Sequence, residues 1–414
     1  MKRSPGGTTP SSLSSPQGEE KRACLPAPSL AEAITLLSST TSGPVPTMTD
    51  ATSPALRLLV LEGDGIGPEI AAATCKVLDA ASRLFGFGLA YERVEIGFSA
   101  LKSQGTTFPE SVMEAARQAD GVILGPVSHN EYPPAEKGGL NPSGQLRKRL
   151  DLYANIRPAR SREGFAPRCG KPLDLVMVRE NTEGFYSDRS MHLGPGEIMP
   201  TPDLAMSFRK VTRQASLRIA ESAFALARQR RRKVTAVHKA NVLRISDGLF
   251  LECVRAVAER YPDVEYEEKI IDAMAALLVR DASVFDVIVT TNMFGDILSD
   301  QASEISGSLG LAASLNAGED HAVAQAQHGS APDIAGRDLA NPASLIGSAA
   351  MLLAWLGERR QVPALLQAAQ AIERAIDLTI KAPELRTRDL GGPLGTKAFA
   401  SYVAVNLAEA AKAG

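Results

Sequence analysis

From Leu56 onward, short runs of β-branched and other apolar residues alternate with longer stretches of amphipathic helical spacing, and this alternation limits what the chain can fold into. Residues 56–63, 121–125, 173–179, 233–238 and 285–291 are mostly apolar runs of four to eight residues that lack alternation, the pattern of strands buried on both faces. Residues 69–85, 109–118, 208–228 and 247–261 carry the helical pattern between them. Strand and helix in alternation imply an α/β fold, a largely parallel sheet flanked by helices. After Ala335 the strands stop, and 342–357, 363–381 and 396–411 are Ala/Leu-rich helices that cover a sheet laid down earlier. In such sheets ligands sit beyond the carboxyl ends of the strands, which is where chemistry is sought.

Residues 1–55 are rich in Ser, Thr, Pro and Gly with little to bury, so a disordered extension is expected, with Met48 an alternative start to Met1. A chain beginning at Met48 should then melt and turn over like the full one. The segment has neither the apolar core of a secretory signal nor an acid-free basic leader, since Glu19 and Glu20 offset its few arginines. Over 414 residues, 45 Lys and Arg against 47 Asp and Glu give a net charge of -2, which argues against nucleic acid or an anionic membrane as partner. Apolar runs fall well short of the ~20 residues that span a bilayer. Cys24, Cys75, Cys169 and Cys253 are scattered without CxxC spacing, so a reducing, cytoplasmic compartment is expected.

The first strand runs into Gly63-Asp64-Gly65-Ile66-Gly67-Pro68-Glu69, which superficially resembles a dinucleotide turn but has Pro68 where Gly-x-Gly-x-x-Gly needs its third glycine. A structural turn and a ligand contact both remain open there, and no Gly-Lys-Ser/Thr follows to suggest a phosphate-binding NTPase. After the strand at 285–291, Asp296 and Asp300 lie four apart, on one face of a helix. Two carboxylates facing one way suit a hard divalent cation, Mg²⁺ or Mn²⁺, although acids in a first helical turn also favour the helix dipole. Asp272 follows the strand-like residues 266–271 among apolar neighbours, where an unpaired acid is expensive, and this favours the metal reading. Arg157 and Arg179 stand at or near the ends of extended apolar segments, and with Arg147 they offer three guanidinium forks matched to carboxylates. Such a set describes a pocket for a di- or tricarboxylate. Tyr186 and Lys239 both follow strands, where each is a proton-transfer candidate or simply a surface residue.

Those motifs, with Val178-Arg179-Glu180-Asn181-Thr182-Glu183-Gly184, His238-Lys239-Ala240-Asn241, Gly295-Asp296-Ile297-Leu298-Ser299-Asp300, residues 328–336 and Asp389-Leu390-Gly391-Gly392, resemble the isocitrate/isopropylmalate dehydrogenase family, in order, from about Leu56 to the C-terminus. The resemblance implies a two-domain, non-Rossmann fold: a large cofactor domain of residues 56–152 and 307–414, and a small domain of 153–306 that carries the interface of a homodimer. It implies an active site between domains and shared between subunits, with Lys239 and Asp272 reaching a site whose other acids are Asp296 and Asp300. Arg147, Arg157 and Arg179 would hold the malate carboxylates, Lys239 would take the C2 hydroxyl proton, a hydride would pass to nicotinamide, and Tyr186 would protonate the enol left by decarboxylation. The cofactor loop would comprise His328, Gly329, Ser330, Ala331 and Asp333, with Ala340 and Asn341 around adenine. NADP-preferring relatives have Lys-Tyr where this chain has Asp333-Ile334, so NAD is expected.

Two departures bear on substrate. The Leu-Leu pair of isopropylmalate-specific relatives is replaced by Ser143 and Gly144, and the Ser-x-Asn of isocitrate enzymes appears in reverse as Asn141 and Ser143, which implies a polar or small C3 substituent. Gln325 stands where relatives usually have Glu, leaving the cofactor contact there open. The family also includes non-catalytic regulatory subunits, but these lose acids or the lysine, and this chain keeps Lys239, Tyr186, Asp272, Asp296 and Asp300.

Overall fold

The computed structural model describes residues 55–186, 191, 194 and 196–412, so the expectation for residues 1–55 lies, Ala55 apart, outside the described residues. The strands are β1 (Leu56–Leu61), β2 (Leu89–Arg93), β3 (Gly121–Leu124), β4 (Ala154–Arg160), β5 (Asp174–Glu180), β6 (Glu197–Thr201), β7 (Leu204–Ser207), β8 (Lys233–His238), β9 (Glu265–Ile270), β10 (Val287–Thr290), β11 (Leu315–Ala317) and β12 (Ala322–Gln325). Ten of them form one sheet in the order β2-β1-β3-β12-β11-β4-β5-β10-β8-β9, and β6 pairs with β7 in a separate ribbon. The pairings among β2, β1, β3 and β12 and among β5, β10, β8 and β9 are parallel, as the alternation requires. Between these halves, β12, β11, β4 and β5 pair antiparallel.

Continuous apolar runs arise because both faces of each inner strand are covered. Leu58 and Val60 of β1 join one core while Leu59 and Leu61 join another, and in β5 Val176 and Val178 face away from Leu175 and Met177. Two of the four cores draw on residues between 56 and 152 and between 311 and 410, two on residues between 153 and 305; among the described residues only half-buried Phe165 crosses over.

Several sequence expectations need adjustment. The helix anticipated at 208–228 is Arg213–Arg228, because Thr212 accepts from Ala215 N at 3.2 Å as an N-cap, and Lys210 instead bridges to Gly184. Strands β11 and β12 are too short to leave a periodic signal. No described helix is long and apolar enough to cross a membrane, and among the described residues Cys75, Cys169 and Cys253 are free.

Candidate active site

The helix Asn292–Ser306 starts directly after β10 and carries Asp296 and Asp300 one turn apart. Arg157 Nη1 donates to both, at 3.1 Å to Asp296 Oδ1 and 3.3 Å to Asp300 Oδ1, and to Ser299 Oγ at 2.8 Å. The β4–β5 register places Asn155 opposite Arg179, so Arg157, two residues on, lies on the same sheet face as Arg179. Arg157 therefore sits in the middle of β4 rather than near its end. Arg179 is fully buried: Nε and Nη2 donate to Asn292 Oδ1 at 3.0 and 2.6 Å, and Nη1 closes on Asp296 Oδ1. A Cβ on Gly295 would come within 2.7 Å of the Arg179 stem, so glycine is needed for the arginine to pass beneath the helix.

Tyr186 donates its hydroxyl to Asp296 Oδ2 at 2.9 Å, and the Arg179 guanidinium lies 5.6 Å from its ring centroid. Burial alone would raise the Asp296 carboxyl, but Arg179, Arg157 and the Tyr186 hydroxyl outweigh it and hold the pKa below the usual range, so Asp296 is ionised at neutral pH. Burial and the neighbouring Arg179 pull Arg157 down to about 10 against Asp296 and Asp300, which still leaves it charged.

Asp296, Arg157, Arg179 and Tyr186 line a cavity of about 240 Å³ together with Asn141, Ser143, Arg147, Gln325, His328 and Gly329. Asn141 caps the helix Pro142–Arg149, its Oδ1 accepting from Gly144 N at 3.2 Å. Gln325 Oε1 accepts from Ser143 Oγ at 3.0 Å, Arg147 Nη2 at 3.3 Å and Asn316 Nδ2 at 3.2 Å. All three expected arginines and both expected polar residues thus line one cavity, Arg157 and Arg179 from β4 and β5 and Asn141, Ser143 and Arg147 from the helix Pro142–Arg149 and its N-cap.

Lys239 and Asp272 are placed differently. They pair with each other, Lys239 Nζ on Asp272 Oδ1, and neither lines the cavity. Asp272 begins the helix Ile271–Asp281 with its side chain 68% exposed, so its apolar neighbours do not bury it and the cost argued from them does not arise within the chain. Among the described residues no cluster of three metal-ligating side chains forms. What one chain offers a divalent cation is the oxygen pair of Asp296 and Asp300, a hard donor set that fits Mg²⁺ or Mn²⁺ once Arg157 yields. Asp247, which the sequence reading passed over, is wholly buried behind Lys239 and accepts from its backbone N and from Arg209 Nη1, both at 2.5 Å.

The loop 328–336 rests on the glycine turn. Ile66 N donates to Ser330 O at 2.9 Å, Ser330 Oγ lies 2.7 Å from Ser128 Oγ, and a Cβ on Gly65 would sit 2.0 Å from Ser330 O. Gly65 also has φ +57. The turn is therefore structural support for the loop. Asp64 within it, another residue missed from sequence, is buried and accepts from Phe98 N at 2.8 Å, Ser128 N at 3.0 Å and the Tyr132 hydroxyl. In the loop, burial lowers the His328 imidazole below its ordinary value, Ala331 takes φ +38, and Asp333 is exposed on the turn Pro332–Ile334. Ala340 O accepts from Thr396 Oγ1 at 2.6 Å, and the Asn341 amide is engaged by Asp389 Oδ2 and Ala343 N, each at 3.0 Å.

Comparison with known proteins gives a consistent picture. A sequence profile described as isocitrate/isopropylmalate dehydrogenase matches residues 57–403. The chain is 41% identical over 359 residues to a 3-isopropylmalate/3-methylmalate dehydrogenase of Methanocaldococcus jannaschii, covering 85% of this chain and 99% of that protein. It is 42% identical over 351 residues to an isocitrate/homoisocitrate dehydrogenase of Thermus thermophilus, covering 84% and 98%. The crystal structure of isocitrate dehydrogenase from Methylococcus capsulatus superposes with a TM-score of 0.75 at 39% identity, over 85% of this chain and 99% of that one.

Proposed function

Because the chain belongs to the isocitrate/isopropylmalate dehydrogenase family, we propose that it is an NAD- and divalent-metal-dependent oxidative decarboxylase of a 3-substituted malate, yielding a 2-keto acid, CO2 and NADH. The observation that carries this reading is the convergence of Arg147, Arg157, Arg179, Tyr186 and Asp296 on one cavity. Three guanidiniums against the carboxylates of Asp296 and Asp300 leave a net positive pocket suited to a hydroxy-di- or tricarboxylate. Arg147, Arg157 and Arg179 orient its carboxylates, and Arg157 releases the aspartates when substrate competes for it. Asp296 and Asp300 hold Mg²⁺ or Mn²⁺ with Asp272 of a second copy. When bound, the metal supplies Lewis-acid stabilisation of the charge that grows on the substrate C2 oxygen. Lys239 of that second copy takes the C2 hydroxyl proton, and Tyr186, oriented by Asp296, delivers a proton to the enol carbon.

A homodimer is part of the proposal. Lys239 and Asp272 are partly open to solvent, and Val242, Ile245 and Ile297 expose apolar side chains, Ile245 to 91%. The β6–β7 ribbon adds Ile198, Met199, Leu204 and Met206. Exposed apolar surface of this kind, all of it in residues 153–306, suits an isologous contact. The segregation of the cores supports division into a large domain of 56–152 and 307–414 and a small domain of 153–306. The free cysteines agree with a cytoplasmic location.

NAD is the proposed oxidant, since the exposed Asp333 carboxylate meets the ribose 2′-OH as an acceptor and a 2′-phosphate as a like charge. Repulsion between such groups near a surface is worth ~1 kcal/mol or more per charge pair, so kcat/KM with NAD should exceed that with NADP by about tenfold or more. The test is initial NADH or NADPH formation over a panel of isopropylmalate, isocitrate, homoisocitrate, tartrate and malate with Mn²⁺. Equal values for the two cofactors would remove Asp333 from the ribose site, and no turnover on the panel would remove the proposal.

A further inference from the structure

We infer that Gln327 is a positioning residue for the metal site: its side-chain amide holds the Asp300 carboxylate in place for the divalent cation and ties it to the loop 328–336. The inference rests on the metal reading of the proposed reaction and adds a residue that supports it.

Strand β12 ends at Gln325, and the chain continues through Ala326 and Gln327 into His328, where that loop begins. Gln327 N donates to Ser344 Oγ at 3.3 Å, which seats its backbone on the helix Ala343–Arg360. From there the side chain crosses to the helix that carries the aspartates. Gln327 Nε2 lies 2.6 Å from Asp300 Oδ1 and 3.3 Å from Ser303 Oγ. A carboxylate only accepts, and Ser303 has given its hydroxyl proton to Ser299 O at 2.8 Å, so both contacts require the N–H₂ end of the amide. The contact joins residues 307–414 to 153–306, stretches whose cores are separate.

Both side-chain donors to Asp300 end on Oδ1, Arg157 at 3.3 Å and Gln327 at 2.6 Å. Among the described residues none ends on Oδ2, which leaves that oxygen to a cation. The two donors differ in what a ligand does to them. Arg157 makes the longer contact, and substrate carboxylates compete for its charge. Gln327 is uncharged, so it neither repels a cation nor is drawn off by an anion, and it remains the hold on a carboxylate that is otherwise half-exposed. Its own Oε1 is buried with no hydrogen-bond partner among the described residues, a costly state that a cation arriving with bound water would relieve by supplying donors.

The experiment titrates Mn²⁺ alone into the full chain, without substrate or NAD, and follows the paramagnetic resonance signal of the free ion. The proteins are wild type, Gln327→Met, Gln327→Ala, Asp300→Asn and the double variant of Gln327→Met with Asp300→Asn. Misfolded material lowers the number of sites read from the titration and leaves the Kd of the folded protein unchanged. Gln327→Met and Gln327→Ala should each raise the Kd for Mn²⁺ by about ten- to a hundredfold, the usual effect of removing a hydrogen bond that orients a metal-binding carboxylate. Because Gln327 acts through the Asp300 carboxylate, Gln327→Met should add less than about threefold in the Asp300→Asn chain. A Kd within about threefold of wild type in both single Gln327 variants, or an undiminished further loss in the double variant, overturns the assignment of Gln327 while leaving the metal reading intact. Absence of Mn²⁺ binding by the wild-type chain overturns both.

Discussion

Chelation of divalent metal is expected to bring turnover to background, and Asp296→Asn to lower kcat by about 10³, since Lewis-acid stabilisation of a developing oxyanion is worth several kcal/mol. Asp296 accepts from Arg157, Arg179 and Tyr186, so removing its charge also leaves two buried guanidiniums poorly compensated. A cost of ~3–5 kcal/mol in stability is expected when one partner of such a buried cluster is lost. The two effects separate by measurement. Added Mn²⁺ should raise the melting temperature of the wild-type chain, because a ligand that binds only the folded state stabilises it, and should not raise that of Asp296→Asn. Asp300 is half-exposed and accepts from Arg157 and Gln327, so Asp300→Asn should lose metal affinity with a smaller stability cost. Full activity after exhaustive chelation would contradict the metal site.

Lys239→Ala is expected to lower kcat by ~10²–10⁴ as a lost general base. Tyr186→Phe should also be strongly impaired, yet a mixture of the two inactive proteins should recover activity. Within one chain Lys239 pairs with Asp272 and stays outside the cavity that holds Tyr186. If each site takes Lys239 from one copy and Tyr186 from the other, a hybrid dimer has one intact site of two, and a random mixture recovers about a quarter of wild-type activity. Mixing must follow reversible dissociation, monitored by mass. Hybrid dimers without recovered activity would mean that each site draws Lys239 and Tyr186 from the same copy and would contradict the shared site.

The sequence made much of this arrangement legible, for identifiable reasons. Strands such as β1, β5 and β10 declared themselves because two cores cover them and the apolar run is unbroken. Asp296 and Asp300 were readable because helical spacing alone puts them on one face. Strands β11 and β12, with three and four residues, carry no period, and the antiparallel join they make with β4 could not be read from alternation. Asp64 and Asp247 were missed because their roles depend on partners distant in sequence, Ser128 and Tyr132 for one, Arg209 for the other. Asp272 misled in a different way. Apolar neighbours suggested burial, but at the first turn of a helix its side chain is exposed to solvent, where Lys239 meets it.

The reaction itself is tested most directly by following NADH and CO2 in one sample, with the best substrate of the panel, NAD and Mn²⁺. Oxidation at C2 coupled to loss of the β-carboxylate gives one CO2 for each NADH, and both should stop together on chelation. NADH accumulating without CO2, or CO2 released without NADH, would contradict oxidative decarboxylation at this site.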